Sequence, residues 1–411
     1  MSELLLRSTS AVGLVAMVVL AWLFSENRRK PPWRVIVWGL GLQLTLALLL
    51  LETAAGRAFF VGVNDLVIGF LRYTEAGTRF MFGPIKELGF SFVLDVLPII
   101  LFMGSIFSIL YHWGIVQRVI DGMAWLLQRT LHTSAAESLA AAANVFVGMT
   151  EAPLLVRPYL ERMTRSELFT VMVTGMATIA GSVLVAYAKM LGEGEFSGPL
   201  VAASLLSAPA AILIAKVMIP ESGTPLTAEA GHAQVERSSV NWIDAASQGA
   251  LAALRLAGYI GALLLVFVAL VALANAMLGT VGGWFGYPEL TLQQVLGVFF
   301  WPLALLLGVE PDESFQIAQL LGVKTVLNEF LAFDQLRLAM EAGAVSHRSA
   351  VIASYALCGF ANFGSLAILL GGLGGMAPTR RSELAELGMR SIVAGTLATL
   401  MTGCVVGILL A

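Results

Sequence analysis

Residues 144–158 read NVFVGMTEAPLLVRP, and this stretch decides how the rest of the chain is interpreted. It lies within a very apolar sequence, yet it brings Asn144, Thr150 and Glu151 close together beside a glycine and a proline. A carboxylate at membrane depth is costly and persists only beside a cavity, an ion or a partner. Glycine and proline indicate a broken helix, whose freed backbone groups need partners of their own. The stretch therefore predicts a functional site inside a membrane.

The composition indicates which class of protein surrounds this site. Of the 411 residues, 58% are hydrophobic and only 12% are charged, and the mean hydropathy is +0.85. Soluble domains have about 25% charged residues. Apolar runs long enough to cross a bilayer recur from end to end, and they are continuous rather than alternating. The sequence therefore predicts an all-α polytopic membrane protein.

Other function classes lack their characteristic sequence patterns here. There is no basic patch with interleaved aromatic residues, so no nucleic-acid partner is expected. The chain has no P-loop, which argues against an ATP-driven pump within it. The histidines lack metal-ligand spacing, and Cys358 and Cys404 lie in apolar segments as small core residues. Without a paired metal motif or a convincing Ser/His or Ser/Lys pair, an intramembrane enzyme is disfavoured, and no cofactor is expected.

Hydropathy and the positions of the basic residues predict the topology. The eight predicted spans are residues 9–25, 33–52, 89–112, 167–190, 197–219, 243–280, 349–373 and 391–411. Two further apolar stretches, 58–75 and 292–308, are predicted to be interfacial helices. Basic clusters at 28–34 and 379–390 are expected on the cytoplasmic side, as is the hydrophilic stretch 220–240, and this places both termini outside. The long span 243–280 exceeds one crossing, which predicts a strongly tilted helix or one that extends past the membrane.

Two segments with polar tips, 113–165 and 312–337, predict re-entrant helical hairpins that open from opposite sides of the membrane. In each one an acidic dipeptide (TE at 150–151, NE at 328–329) is followed by a span that contains a polar, glycine-rich interruption, ATIAGS or ANFGS. The two halves of the chain therefore form an inverted repeat. Such repeats place a substrate site at the midplane, between the halves.

Glu151 and Glu329 are the candidate ligand-binding acids, because both lie near hairpin tips that can reach one central cavity. A carboxylate in a dry site accepts strong hydrogen bonds from hydroxyl or ring N–H groups. The alternative is internal pairing, of Glu329 with Lys324 or of Glu151 with Arg157. The functional interpretation is favoured, since acids in broken intramembrane helices usually mark a substrate or ion pathway.

Asn362 and Ser365 lie three residues apart, on one face of the seventh span if that span is helical there. Phe360 lies beside them, and polar donors next to aromatic faces suit a ligand with hydroxyl groups and a flat apolar part. The alternative is ordinary hydrogen bonding between helices. The residues alone leave both interpretations open.

Asn144, Val147, Thr178 and Ile179 form a candidate cation site. Sodium takes oxygen ligands, which unwound carbonyls, an amide and a hydroxyl supply without a carboxylate. The alternative is helix capping by Asn144 and back-bonding by Thr178. From these residues alone capping is the favoured interpretation.

Three motifs, NVFVGMTEAPLLVRPYL, VLNEFLAF and GFANFGSLAI, occur in this order, and together they resemble the concentrative nucleoside transporter family. The resemblance covers essentially the whole chain. It implies a homotrimeric symporter of the inner membrane that imports nucleosides by an elevator-like movement of its hairpin-containing domain. Opposed hairpins around a central polar site also favour an occluding carrier over a channel.

The resemblance implies roles for the candidate residues. Thr150 and Glu151 would contact the nucleobase, with Val183 close by. The residues that would bind or line the ribose are Glu329, Asn362, Ser365 and Phe360. The residues that would match the sodium ligands are Asn144, Val147, Thr178 and Ile179, which reverses the capping interpretation.

One substrate-site position departs from the family pattern, because Met149 stands where the family commonly has glutamine. A thioether cannot replace the donors and the acceptor of an amide at a base edge, so base selectivity is open. The leading hypothesis is a sodium-coupled nucleoside importer. The alternatives are proton coupling, or a carrier for a different riboside-like solute.

The resemblance and the predicted spans together divide the chain into four regions. Residues 1–112 are predicted to be mainly scaffold, and 113–219 mainly transport domain. Residues 220–308 comprise the cytoplasmic loop, the long tilted scaffold helix and an interfacial helix. Residues 309–411, with the second hairpin and the last two spans, are again mainly transport domain.

Overall fold

The computed structural model describes residues 3–83, 85, 91–192, 195–227 and 239–410. The regular secondary structure of this part of the chain is helical, and this part contains no β-strand. The α-helices in chain order are α1 (Glu3–Leu23), α2 (Trp33–Leu51), α3 (Ala54–Phe82), α4 (Leu97–His112), α5 (Ile115–Leu131), α6 (Ala135–Asn144), α7 (Ala152–Leu155), α8 (Arg157–Leu160), α9 (Arg165–Ala177), α10 (Gly181–Leu191), α11 (Ser197–Met218), α12 (Trp242–Trp284), α13 (Leu292–Leu306), α14 (Ser314–Val326), α15 (Glu329–Glu341), α16 (His347–Leu357), α17 (Phe363–Met376) and α18 (Arg381–Leu409). A π-helical turn, Phe92–Val96, precedes α4.

Eight helical segments of the described chain are long and apolar enough to cross a membrane. They are Glu3–Leu23, Trp33–Leu51, Ala54–Phe82, Phe92–His112, Arg165–Leu191, Ser197–Met218, Trp242–Trp284 and Pro378–Leu409. The predicted all-α polytopic class is thereby confirmed. The set includes α3, which contains the stretch 58–75 that was predicted to be an interfacial helix. Its length and composition also suit a membrane crossing, so the interfacial position stays a prediction. The predicted span 349–373 is not in the set, since it is divided between α16 and α17.

Two helical segments are broken in their middle, one in each half of the chain. The first break, 178–180, separates α9 from α10, and the second, 358–362, separates α16 from α17. The interruptions predicted from ATIAGS and ANFGS are therefore present. Both breaks expose backbone groups deep inside the protein, where side chains and hairpin tips can reach them.

The second hairpin consists of α14 and α15. It begins two residues after the start of the predicted segment 312–337 and ends four residues beyond it. The first hairpin is less regular. Its rising arm is α6, and its returning arm is divided into the four-residue helices α7 and α8, each with a proline near its start. Proline removes a backbone donor and clashes with the preceding turn, which explains why the returning arm is interrupted. The amphipathic α5 precedes this hairpin as a separate helix.

The buried core is formed by α9, α10, α11, α16 and α18, most of whose residues are inaccessible. By contrast α12 is 43 residues long and buries only a few of them. At 1.5 Å per residue it is about 65 Å long, roughly twice the thickness of a bilayer core. This length confirms the prediction that the helix here is too long for one perpendicular crossing of the membrane. The helix α13 continues through Pro302 and packs against α14.

A cluster of charged side chains connects the α1–α2 loop to α9 and α18. Glu26 accepts a hydrogen bond from Arg165 at 3.0 Å and also contacts Arg390. Burial raises the pKa of the Glu26 carboxyl, but the two guanidinium groups outweigh burial and hold the pKa below its ordinary value. Most of the predicted cytoplasmic loop 220–240, including residues 228–238, lies outside the described residues.

Candidate functional site

A cleft lies between the two hairpin tips and α12. The lining residues come from the first tip, the first break, one face of α12, the second tip, the second break and the start of α17. They are Gly148, Met149, Thr150, Glu151, Ala180, Leu256, Ile260, Leu263, Phe267, Leu327, Asn328, Glu329, Phe330, Phe360, Asn362, Gly364, Ser365 and Ile368. The two halves of the chain therefore meet at one site.

Glu329 is the central acid of the cleft, and it begins α15 directly after its N-cap, Asn328. Its side chain is almost fully buried. One carboxylate oxygen accepts a hydrogen bond from the Tyr187 hydroxyl at 2.7 Å, and the other accepts one from the Asn362 amide at 2.8 Å. Both oxygens are thus fixed by donors from outside the hairpin. A carboxylate held in this way keeps further acceptor sites for a ligand.

Asn362 joins the acid to the second break. Its Oδ1 accepts a hydrogen bond from the backbone N–H of Ser365 at 2.7 Å, while its amide donates to Glu329. The condition under which Asn362 and Ser365 would share a helix face is not met, because Asn362 has extended backbone angles and is the N-cap of α17. Capping orients the amide toward Glu329 and leaves Ser365 in the first turn, beside the cleft.

The tip of the first hairpin presents Met149, Thr150 and Glu151 to the cleft. The Thr150 hydroxyl donates to the Glu151 carboxylate at 2.8 Å, and Glu151 is exposed. Gly148 has a φ of 92°, and a Cβ atom there would lie 2.9 Å from the Cβ of Ala180. The tip can therefore pack against the first break only because residue 148 is glycine.

The wall opposite the tips belongs to α12. Leu256, Ile260, Leu263 and Phe267 follow helical spacing and line one side of the cleft. With the buried Phe360 they make this part of the site apolar and partly aromatic. The cleft therefore has a polar side around Glu329 and an apolar side along α12. Such a surface suits a ligand with hydroxyl groups at one end and a flat ring at the other.

The proposed internal ion pair between Glu329 and Lys324 is not formed. Lys324 is fully buried on α14, but its ammonium donates to the backbone oxygen of Ala356 and to the Thr399 hydroxyl, both at 2.8 Å. The carbonyl belongs to the last turn of α16, where the helix dipole favours a cation. The hydrogen bond that Glu151 accepts likewise comes from Thr150 and not from Arg157.

The four candidate cation ligands lie together behind the first tip. Asn144 is the last residue of α6, so it lies at the C-terminal end of that helix. Its amide donates to Ala140 O at 3.0 Å and to Thr174 Oγ1 at 3.2 Å, which leaves its buried Oδ1 without a hydrogen-bond partner in the described chain. Thr178 does back-bond, to Thr174 O at 2.8 Å.

The backbone beside these residues is unwound in both segments, after α6 and between α9 and α10. Val147 follows the end of α6, and Ile179 lies in the break between α9 and α10. The Thr178 hydroxyl also lies 3.4 Å from the carbonyl oxygen of Asn144. These groups offer neutral oxygens to an alkali cation. Among the described residues no group of three His, Cys, Asp or Glu side chains could hold a transition metal.

Sequence reasoning missed Tyr187, Asn328 and the wall formed by α12. Tyr187 had a detectable signal, because a tyrosine in an apolar intramembrane helix needs a partner for its hydroxyl. The α12 residues had none, since a leucine that faces a ligand resembles one that faces lipid. Val183 is fully buried on α10 and does not reach the cleft surface.

Family models match most of the chain. A model described as "Na+ dependent nucleoside transporter C-terminus" matches residues 199–407, and its N-terminal counterpart matches 12–85. A third, described as "Nucleoside recognition", matches residues 93–194. The site described above draws its residues from the regions matched by the first and third of these models.

Several curated proteins are similar along nearly the entire chain. An uncharacterised transporter of Haemophilus influenzae is 44% identical over 408 residues, which cover 97% of each chain. Solute carrier family 28 member 3 of Mus musculus is 43% identical over 97% of this chain and 58% of its own length. Sodium/nucleoside cotransporter 1 of Mus musculus is 40% identical over 97% of this chain and 63% of its own length. The chain therefore spans about three fifths of these mammalian relatives.

Solved structures with the same fold represent more than one conformational state. CNTnw in an inward-facing substrate-bound state is 40% identical, with a TM-score of 0.91, and the match covers 98% of this chain and 97% of that chain. A CNTnw variant in an outward-facing state is 39% identical, with a TM-score of 0.93 and coverage of 99% of each chain. At this level of identity and coverage, the likeness supports the all-α membrane fold throughout.

Proposed function

Because this chain belongs to the concentrative, Na⁺-dependent nucleoside transporter family, we propose that it is a cation-coupled symporter that imports nucleosides. The protein is a transporter and not an enzyme. The observation that carries the substrate class is the Glu329 carboxylate, which is fixed on both oxygens and faces the cleft. A fixed carboxylate beside an apolar wall suits a sugar hydroxyl joined to a flat base.

We assign the sugar to the second half of the chain. Glu329 accepts hydrogen bonds from ribose hydroxyls, and Asn362 and Ser365 lie beside it at the second break. Phe360 closes this part of the cleft with an aromatic surface. Recognition of hydroxyl groups by buried polar partners is selective, since a substrate without the hydroxyl leaves those partners unpaired.

We assign the base to the first hairpin tip, where Thr150 and Glu151 offer a hydroxyl and a carboxylate. Met149 lines the same part of the cleft, but its thioether is only a weak acceptor. Val183 acts from behind this surface, through packing alone. The base is therefore held by few polar contacts at this tip, and we propose that base selectivity is broad.

Sodium is the proposed coupling ion, with Asn144, Val147, Thr178 and Ile179 as its ligands. The supporting observation is the buried, unpartnered Oδ1 of Asn144 beside unwound backbone. A cation there would satisfy this oxygen and hold the first tip in the position where it borders the cleft. By linkage, sodium and nucleoside would then tighten each other's binding by the same factor.

The proposed transport cycle follows from the position of the cleft between the two halves of the chain. The hairpins and broken helices, which include most of residues 113–219 and 309–411, would move as a transport domain against a scaffold that contains α12. We further propose that the protein works as a homotrimer in the inner membrane, with both termini on the outer side. The outward- and inward-facing states of CNTnw support a mechanism of alternating access.

Uridine uptake into proteoliposomes tests this proposal. Uptake is measured with an inward sodium gradient, an inward proton gradient, or neither, for the wild type, Glu329→Gln and Glu289→Gln. Glu289 is the matched control, since it is an exposed carboxylate in the turn between α12 and α13. We expect sodium-driven uptake in the wild type and in Glu289→Gln, and a loss of at least about tenfold in Glu329→Gln, because one charged hydrogen-bond acceptor is removed.

The possible outcomes separate the hypotheses. Uptake that follows the proton gradient and ignores sodium would keep the nucleoside carrier and discard the proposed sodium site. If folded wild-type protein carries no uridine under any gradient, purine nucleosides and other ribosides are tested next, since Met149 alters the base side. Equal uptake by Glu329→Gln and the wild type would contradict the assignment of Glu329 to the sugar.

A further inference from the structure

Tyr187 does not line the cleft, yet its hydroxyl contacts the acid that does. We propose that Tyr187 is a positioning residue of the substrate site: its hydroxyl fixes the Glu329 carboxylate so that the remaining acceptor sites face two neighbouring hydroxyl groups of the substrate. Tyr187 would thereby set how strongly the transporter discriminates a vicinal diol from a deoxy sugar. This inference rests on the proposed function and adds a specificity residue to it.

The Tyr187 side chain is held as a rigid unit. It is fully buried on α10, and its ring stacks on Phe333 with centroids 4.6 Å apart and planes 24° apart. Phe330 contacts the same ring edge-on, with centroids 5.6 Å apart. Both phenylalanines belong to α15, the helix that begins with Glu329. The hydroxyl oxygen therefore has little freedom, and its 2.7 Å hydrogen bond determines where the carboxylate points.

The hydrogen bonds that the Glu329 carboxylate already accepts determine how many acceptor sites it can offer to a ligand. An ionised carboxylate has about four lone-pair sites. Tyr187 and Asn362 each occupy one, on different oxygens. The residue also receives a hydrogen bond from its own backbone N–H. Since the residue lines the cleft and only 6% of it is exposed, a ligand reaches the acceptor sites that remain from the cleft. Two adjacent hydroxyl groups match two acceptors on one carboxylate, as vicinal diols do.

The hydrogen bond also joins the two halves of the chain. Tyr187 lies on α10, directly after the first break, whereas Glu329 lies at the tip of the second hairpin. Asn362, the second donor, comes from the second break. Without the Tyr187 hydroxyl the carboxylate would be held by one side-chain donor, Asn362, and would be freer to rotate. A rotated carboxylate presents one acceptor to the substrate in place of two.

The test compares Tyr187→Phe with Tyr355→Phe. Tyr355 is a matched control because it is also a fully buried tyrosine, and its hydroxyl has no hydrogen-bond partner in the described chain. The KM for uptake is measured with uridine, 2′-deoxyuridine and 3′-deoxyuridine, and each detergent-purified variant is checked by size exclusion. In Tyr187→Phe we expect the KM for uridine to rise about tenfold, and the KM for each deoxy substrate to rise no more than about twofold. Tyr355→Phe is expected to match the wild type for all three.

The pattern across substrates separates positioning from general structure. An equal rise of KM for all three substrates would overturn the proposal, and so would unchanged kinetics in Tyr187→Phe. Failure of Tyr187→Phe to give a monodisperse protein, when Tyr355→Phe does, would also overturn it, because the hydroxyl would then be structural. Absence of nucleoside uptake by the wild type would overturn the proposed function and this inference with it.

Discussion

The buried side-chain oxygen of Asn144 is the residue on which the choice of coupling ion depends most. It has no hydrogen-bond partner in the described chain, whereas the amide nitrogen of the same side chain has two. In Asn144→Ala we expect the sodium concentration for half-maximal uptake to rise about tenfold or more, since one oxygen ligand is lost. Sodium-activation curves at fixed ionic strength, with choline as the replacement cation, measure this.

Gln43 provides the control for Asn144. It too is a buried amide whose side-chain oxygen has no partner in the described chain, and its nitrogen donates to Thr402 at 3.2 Å. Gln43→Ala should lower thermal stability and leave the sodium dependence unchanged. If the two variants shift the sodium dependence equally, the effect of Asn144 is structural and sodium binds elsewhere.

Sequence reasoning found the acids and amides of the site but not their supports. Glu329 and Asn362 were detectable because polar groups in an apolar segment are costly unless they are used. Their mutual hydrogen bond was not, since it joins residues that lie 33 positions apart through a break whose geometry is tertiary. The position of Asn144 at the end of α6 was not predictable for a related reason. Whether an asparagine begins or ends a helix depends on where the chain turns, and sequence predicts helix boundaries poorly.

At the scale of the helices, asparagine N-caps fix the starts of α15 and α17, which carry the proposed sugar side of the site. The Asn328 side chain accepts a hydrogen bond from the backbone N–H of Leu331 at 2.8 Å. In Asn328→Ala we expect a stability loss of about 1 kcal/mol, the usual cost of a lost N-cap. We also expect a higher KM for uridine, because the frayed first turn contains Glu329. Thermal unfolding and uptake kinetics measure the two effects.

Asn241 provides the control that distinguishes the loss of stability from the rise in KM. It caps α12 in the same way, with its side chain accepting from the backbone N–H of Asp244 at 2.9 Å, far along the helix from the cleft-lining residues. Asn241→Ala should lose similar stability without a change in KM. A KM that rises equally in both variants would mean that the cap of α15 has no specific role in the substrate site.

The helical elements were predictable to the extent that hydropathy and breakers define them. Continuous apolar runs indicated most spans, and glycine with polar neighbours indicated both breaks. The irregular first hairpin was not resolved, because 113–165 contains the separate helix α5 and a returning arm divided at its prolines. The position of α3 relative to the membrane depends on tilt and lipid contact, which apolar composition does not determine.

At the scale of the whole molecule, the cluster around Glu26 should make stability depend on pH. The Arg165 and Arg390 side chains hold the pKa of Glu26 below its ordinary value, so the folded state favours the ionised carboxylate. The stabilisation is therefore complete above the ordinary glutamate pKa, about 4.3, and is lost as the pH falls through the lower pKa of the folded state. The wild type should melt above Glu26→Gln at pH 7, and the difference should shrink below about pH 4.

The exposed Glu289 serves as the control for this pH dependence. Melting temperatures of the wild type, Glu26→Gln and Glu289→Gln are compared between neutral and acidic pH in the same detergent. Glu289→Gln should follow the wild-type curve throughout. A Glu26→Gln protein that melts with the wild type at neutral pH would show that the cluster adds nothing to stability.

The length of α12 has a consequence for the lipid environment. One face of this helix, from Leu256 to Phe267, is a wall of the substrate cleft, while much of its remaining surface is exposed. A helix about 65 Å long must lean or protrude in a hydrocarbon layer about 30 Å thick, and its lean depends on that thickness. We therefore expect acyl-chain length to act on the helix that lines the cleft. Bilayer thickness would then be a variable that influences the shape of the proposed binding site.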